Sequence, residues 1–213
     1  MIIGICGFIG SGKDTIADYL VNLHQFRRES FANSLKDAVS QVFGWDRTML
    51  EGRTKQAREW REQRDEWWSQ RLNMDITPRW ILQYWGTEVC RKAFHDDIWI
   101  ASIGRKLIAA ADTNFVIPDT RFPNEIDMIK QLNGQVWLIK RGNTPPWLSD
   151  YTTKGLKPID IHPSEYMWAN SAMDSEISND GTIISEGIDA NYLDIINYAA
   201  FALILIAEKQ ASK

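Results

Sequence analysis

The sequence predicts an α/β fold built on a parallel sheet covered on both faces, and three observations carry that reading. The apolar run Ile2–Cys6 is followed by a glycine-rich turn and then by apolar residues at helical spacing, Ile16, Leu20 and Leu23. Further short apolar runs alternate with amphipathic stretches, the pattern of successive strand–helix crossovers. At 213 residues the chain has room for one such domain with a full core and is slightly short for two. We read residues 1–213 as one domain with an insert at about 45–95 and a lid at about 141–170.

The opening stretch, MIIGICGFIGSGKDT, holds the strongest motif. Gly7, Gly10 and Gly12 let the backbone curl so that successive N–H groups point at phosphate oxygens, and the helix that follows adds the partial positive charge of its N-terminus. Lys13 brings a mobile cation to the same oxygens. The pattern ordinarily ends in Ser or Thr, whose hydroxyl ligates Mg²⁺, but Asp14 stands there and Thr15 comes one residue late. Either Asp14 faces the metal, through water, or Thr15 supplies the hydroxyl. Both imply a metal–triphosphate complex, since Mg²⁺ prefers carboxylates and substrate phosphates.

The remaining elements follow in order. Phe26–Phe31 reads as a second strand, and a helix from about Ser34, as N-cap, runs to Phe43 with Lys36 in its first turn. From Leu50 to Arg71 the charges are dense and mixed, with Arg58, Arg61 and Arg64 on one helical face and Trp60 and Trp67 on another. Thr77 caps a long helix with Pro78 at its first position, extending to about Phe94, and Ile98–Ala111 is another. Asn114–Pro118 is a buried strand that ends at Asp119-Thr120-Arg121, and Phe122-Pro123-Asn124 opens the next helix. Gln135–Lys140 is a strand closing on Arg141; Arg141 to about Asn170 lacks periodicity, and loops of that length are usually functional lids or disordered. Ser175–Ser178 is the last strand, and a helix begins near Asp189.

Composition excludes several classes. Lys plus Arg is 24 against 28 Asp plus Glu, a net charge of −4 with no basic block, which argues against non-specific nucleic-acid binding. Cys6 and Cys90 match neither disulfide nor zinc spacing. The apolar stretch Ala199–Ala207 is too short to span a bilayer, and the N-terminal run lacks a basic flank and a cleavage site. We therefore expect a soluble cytoplasmic protein. Six of the ten tryptophans (Trp45, Trp60, Trp67, Trp68, Trp80, Trp85) crowd one region, and core packing is the commoner use of such residues.

A phosphate loop serves motors, switches and kinases alike. The strand ending Asp119-Thr120-Arg121 lacks the adjacent carboxylate expected of a hydrolytic ATPase, and no N-K-x-D guanine signature occurs. Phosphoryl transfer needs mainly positioning and positive charge, which Arg58, Arg91, Arg121 and Arg141 are placed to supply. In open α/β sheets ligands gather at the carboxyl ends of strands, where Asp119 and Arg121 fall.

The blocks GSGKDT (Gly10–Thr15), LQYWGTE (Leu82–Glu88), PDTRFPNE (Pro118–Glu125), HPSE (His162–Glu165) and ISNDGT (Ile177–Thr182) resemble, in order and spacing, the deoxynucleoside monophosphate kinases of tailed bacteriophages. The resemblance implies a P-loop kinase fold, a five-stranded parallel sheet in order 2-3-1-4-5, and transfer of the γ-phosphoryl of ATP to a dNMP. It implies that Gly10, Ser11, Gly12, Lys13, Asp14 and Thr15 hold ATP and its Mg²⁺, with Asn179 and Gly181 in the loop against adenine. Lys36, Arg58, Gly86, Thr87, Trp99, Asp119 and Glu125 match acceptor-binding positions; where Ile9 stands some relatives carry a basic residue, and Arg91, three residues past Glu88, is our candidate for its contact to the acceptor phosphate. Lys13, Asp14, Arg121 and Arg141 are the expected catalytic group, and Glu165 the partner of an arginine in the closed state. The expected partners are small nucleotides, with a homodimer left open. A kinase for another small acceptor and a packaging ATPase share the loop.

Overall fold

The computed structural model describes residues 1–161 and 163–179. His162, Gly181 and the helix expected near Asp189 lie outside them. The chain divides into two compact units: Met1–Ser30 with the chain from Leu107 onward, and Phe31–Lys106.

The first unit is a parallel sheet of β1 (Ile2–Cys6), β2 (Arg27–Arg28), β3 (Phe115–Ile117), β4 (Gln135–Arg141) and β5 (Ser175–Asn179) in the order β2-β3-β1-β4-β5. This is the order that the resemblance implied. β1 is central because it is buried on both faces: Ile3 and Ile5 on one face pack with Ile16, Leu20, Val116, Trp137, Ile139 and Ile177, and Gly4 and Cys6 are buried on the other. Each such side chain contributes roughly 1.5–3 kcal/mol by leaving water. α1 (Lys13–His24) turns its apolar stripe onto this cluster and stops at Gln25, which takes a left-handed conformation and returns its N–H to Leu20. α8 (Pro123–Gln131) lies so close to β1 that a Cβ on Gly4 would meet Ile129 Cδ1 at 2.5 Å.

Three sequence expectations in this unit are corrected. The second strand is far shorter than Phe26–Phe31, because β3 offers only three residues to pair with before Pro118. The last ladder contact is Glu29 N–H to the Val116 carbonyl at 3.0 Å. β4 and β5 each run one residue further than expected, taking in Arg141 and Asn179. The segment after Arg141 is not irregular: it forms α9 (Pro146–Lys154) and two 3₁₀ turns, Pro163–Glu165 and Met167–Asn170. α9 starts on a proline at its first position, ends at Gly155 with φ 70°, and buries only Leu148, so no apolar period announced it. Thr152 and Thr153 satisfy their hydroxyls on the Leu148 and Ser149 carbonyls one turn back.

The second unit is helical: α2 (Asn33–Phe43), α3 (Arg47–Glu51), α4 (Lys55–Glu62), α5 (Glu66–Leu72), α6 (Pro78–Gln83), a π-helix (Tyr84–Lys92) and the start of α7 (Ile98–Ala109). Side chains of Asp46, Thr54, Asp65 and Thr77 cap the starts of α3 to α6. α2 begins at Asn33 rather than after Ser34, whose hydroxyl instead meets that of Ser102 at 2.6 Å. Arg58, Arg61 and Arg64 do not share a helix: α4 ends at Glu62 and Asp65 caps a new one, leaving Arg64 between them. The helix from Pro78 changes to π geometry at Tyr84. The tryptophans are core: Trp45 is buried with Leu35, Val39, Phe43, Leu50, Ile76 and Ile81, and Trp60, Trp68, Trp80, Trp85 and Trp99 pack against them, while Trp67 stays exposed. Among the described residues no helix is long and apolar enough to cross a membrane.

The backbone around β1 yields a ranking of two glycines. Gly7 has φ +140° and a Cβ there would lie 2.4 Å from the Ile139 carbonyl oxygen, whereas Gly10, at φ +78°, has open space around it. We expect Gly7→Ala to cost about 1–3 kcal/mol and Gly10→Ala clearly less, read by chemical denaturation. Equal losses would mean that the close approach to β4 is not what selects Gly7.

Candidate functional site

The loop Gly7–Gly12 leaves the carboxyl end of β1 and delivers Lys13 as the first residue of α1. Gly12, at φ 101°, occupies the cap position in a left-handed conformation that glycine adopts without penalty. Lys13 is only 8% exposed, and its ammonium donates to the carbonyls of Gly7 at 2.8 Å and Phe8 at 2.6 Å. Burial lowers its pKa from 10.5 to about 8, with the Arg121 guanidinium the next cause and Asp14, Glu165 and Cys6 opposing. Cys6, behind the loop, is pushed up to about 12 by burial, reinforced by Glu125, and stays a thiol. The Ser11 hydroxyl is buried with no partner among the described residues.

The ends of the neighbouring strands bring polar groups to this loop. From β4, Arg141 Nη1 donates to the Gly10 carbonyl at 3.1 Å; from β5, Asn179 Nδ2 donates to the Ser11 carbonyl at 3.1 Å. The carbonyls of Gly7, Phe8, Gly10 and Ser11 are thereby all drawn to nitrogen donors, which reduces the negative potential at the helix N-terminus. Beyond β3, Asp119 accepts from the Ser30 hydroxyl at 2.6 Å, and buried Thr120 returns its own hydroxyl to Ile117 at 3.1 Å. Arg121 pairs with Glu165 at 2.5 Å. Phe8 itself lies edge-on to Trp147 of α9 and Trp168 of the second 3₁₀ turn, with centroids 5.8 and 5.3 Å away.

Two site residues do other work as well. The carboxylate of buried Glu125 accepts from the backbone N–H groups of Arg121 at 2.8 Å and Phe122 at 3.1 Å, capping α8. It fixes the turn that presents Arg121. Asp14 is exposed on α1 and pairs with Arg28 of β2, which also holds Asp18 at 2.9 Å. Arg28 went unnoticed in the sequence, where a basic residue on a short strand carries no signal. Thr15 follows Asp14 in the first turn of α1.

The remaining predicted residues sit in the second unit. Lys36 pairs with Glu51 at 2.7 Å, and Glu51 is also held by Arg47. Arg58 donates to the Arg53 carbonyl at 3.0 Å. Gly86 and Thr87 lie in the π-helix, where the Gly86 carbonyl accepts from the Trp99 indole N–H at 3.0 Å and Leu35 stands where a Cβ would be. Arg91 is 3.8 Å from Asp96. Arg61, read in the sequence only as one of a charged face, packs its guanidinium over Gly52 so closely that a Cβ there would be 2.2 Å from Cζ. Burial, with Arg79 next, lowers its pKa, and its buried Nε has no partner among the described residues. The structure therefore gathers Gly10, Ser11, Gly12, Lys13, Asp14, Thr15, Asp119, Arg121, Glu125, Arg141 and Asn179 in one unit. Lys36, Arg58, Gly86, Thr87, Arg91 and Trp99 belong to the other.

Comparison with known proteins agrees with the resemblance. A protein of Acanthamoeba polyphaga mimivirus, assigned by name as a deoxynucleotide monophosphate kinase, is 32% identical over 78% of this chain and 80% of its own length. The deoxynucleoside-5'-monophosphate kinase of Escherichia phage T5 is 24% identical over 95% of this chain and 97% of that one. A family model described as nucleotide modification associated domain 1 matches residues 175–206. Shikimate kinase from Aquifex aeolicus vf5 superposes with a TM-score of 0.45 at 13% identity, covering 97% of this chain and 98% of that one.

The depressed lysine links stability to pH. Because the Lys13 pKa falls to about 8 in the fold, the unfolded chain binds the extra proton between pH 8 and 10.5 and the penalty for burying the charge is complete below pH 8. Compared with Lys13→Met, the wild-type protein should gain roughly 1–3 kcal/mol of stability as pH rises through that window. Denaturant melts of both proteins at several pH values check this; a constant difference would place the ammonium in water.

Proposed function

Because the chain belongs to the deoxynucleotide monophosphate kinase family, we propose that it transfers the γ-phosphoryl group of ATP to a deoxynucleoside monophosphate, yielding ADP and the diphosphate. The chain is a phosphotransferase, and the observation that carries the fuller reading is the Lys13 ammonium. It is buried in a strand–loop–helix turn, held by two backbone carbonyls, with the guanidinium of Arg141 at the end of β4 and that of Arg121 on the turn between β3 and α8. A buried cation flanked by two more is costly alone and favourable around a polyphosphate. Transfer then consists of orienting the two phosphates and stabilising charge on the moving group.

In this reading the loop residues Gly10 to Thr15 bind the triphosphate, and Asn179 and Gly181 serve the base. Lys36, Arg58, Gly86, Thr87, Arg91, Trp99, Asp119 and Glu125 serve the acceptor, and both units, with insert and lid, act as one kinase domain. Mg²⁺ is the expected metal. The donors beside the loop, the Asp14 carboxylate and the Thr15 hydroxyl, are hard oxygens suited to it, and among the described residues there is no His, Cys or carboxylate cluster to cage a metal independently. Bound with the nucleotide, it would neutralise phosphate charge, while Lys13, Arg121 and Arg141 do so from the protein side. The proposed setting is the cytoplasm of a host cell, with soluble nucleotides as partners.

ADP formation measured with and without each of the four dNMPs tests the reading. We expect turnover with at least one dNMP, lowered more than about a hundredfold by Lys13→Ala in a folded protein. Turnover independent of any acceptor would identify an ATPase instead. Arg141 carries a sharper expectation, since its guanidinium already touches the loop at Gly10. Arg141→Ala should lower kcat roughly 10²-fold, about 2.7 kcal/mol, with little change in dNMP affinity. An unchanged kcat would reduce Arg141 to a structural tie for the loop.

A further inference from the structure

The segment after α9 does more than cover the phosphate loop. Glu165 ends the 3₁₀ turn Pro163–Glu165 and pairs with Arg121 at 2.5 Å across 44 residues of sequence. The turn is tied down by the residues that follow it. The Tyr166 N–H returns to the Pro163 carbonyl at 3.1 Å, and the buried Tyr166 ring meets Tyr151 of α9 edge-on at 4.7 Å. Two residues further, buried Trp168 packs on Phe8 of the loop itself. An isolated exposed ion pair is commonly worth little because two long side chains must be ordered to make it. Here Arg121 springs from a turn fixed by Glu125 and Glu165 from a turn fixed by two aromatic contacts, so that ordering is largely done by the fold.

Lys13 is close enough to both members of the pair for each to act on its charge, with Arg121 disfavouring the ammonium and Glu165 favouring it. The carboxylate thus lies within electrostatic reach of the cation that receives phosphate, and it holds the second cation of the loop. We propose that Glu165 is a positioning residue that stands in for phosphate: it keeps the Arg121 guanidinium extended beside the empty loop and is exchanged for phosphate oxygens when nucleotide binds. The inference rests on the loop's role as the nucleotide site. Nucleotide binding must then break the Arg121–Glu165 pair, while the aromatic contacts of Phe8 with Trp147 and Trp168 keep the segment attached at the loop. The exchange lowers affinity for nucleotide in return for an arginine that is already in place.

The test is an ADP titration in the presence of Mg²⁺, followed by isothermal titration calorimetry. Glu165→Gln keeps the shape of the side chain and removes its charge, so ADP should bind about three- to fivefold more tightly. In an Arg121→Gln background the same change should have much less effect, because the competitor then has nothing to hold. Glu176→Gln, which breaks the exposed pair with Lys140 on the same sheet, is the control and should leave ADP affinity unchanged. A wild-type protein that binds ADP, with Glu165→Gln binding no tighter or more weakly, overturns the inference and leaves the kinase reading intact. An equal gain in both backgrounds also overturns it, reducing Glu165 to a diffuse negative charge. A wild-type protein that binds no ADP removes both.

Discussion

Burying the ammonium of Lys13 costs several kcal/mol unless partners replace its water, and among the described residues two backbone carbonyls accept from its three N–H donors. The local architecture follows from that constraint. The loop must bend through left-handed glycines to turn its own carbonyls toward Nζ, and β4 must pass so near Gly7 that no side chain fits. The loop is thus pre-organised, and the Lys13 ammonium keeps hydrogen-bonding capacity beyond the two carbonyls it meets.

The cations around the loop are held in place by anions and carbonyls, each in its own way. Arg141 leans on a carbonyl of the loop, Arg121 on a carboxylate from the following segment, and Glu125 fixes the backbone from which Arg121 springs. Arg28 performs the same office for the acidic residues of α1, bridging Asp14 and Asp18. These pairings keep positive charge close to the loop without allowing it to collapse onto other parts of the protein. Glu125 shows how one carboxylate serves a helix start and a functional turn at once.

The second unit solves a different problem. A run of short, charged helices has little apolar surface of its own, so five tryptophans pack around a core of smaller aliphatic and aromatic residues. Trp45 donates its indole N–H to Asp65 and Trp68 donates to the Phe43 carbonyl, acceptors that also help define where helices begin and end. Trp99 secures the Gly86 carbonyl in the π-helix in the same manner. Tryptophan here serves as packing volume with a polar anchor.

The sequence by itself determined the strand–loop–helix start, the positions of β1, β3, β4 and β5 to within a residue or two, and the loop residues from Gly7 to Thr15. Buried parallel strands are short runs of apolar residues on both faces, and a phosphate loop is spelled by contiguous glycines and a lysine, so both are local signals. The same holds for Thr77 with Pro78 at the head of α6. Tertiary structure decided what no local pattern encodes. β2 shrank because of the length of its neighbour β3, and α9 formed on caps and a single buried leucine. Arg64 and Trp67 parted from Arg58 and Trp60 because Asp65 restarted the helix. The partners of Arg121, Arg141 and Asp14 came from residues 44, 131 and 14 positions away, and the Arg61 guanidinium found its place over Gly52. Side-chain pairing of that kind depends on which strand ends and turns the sheet brings side by side, and sheet order is a property of the whole chain.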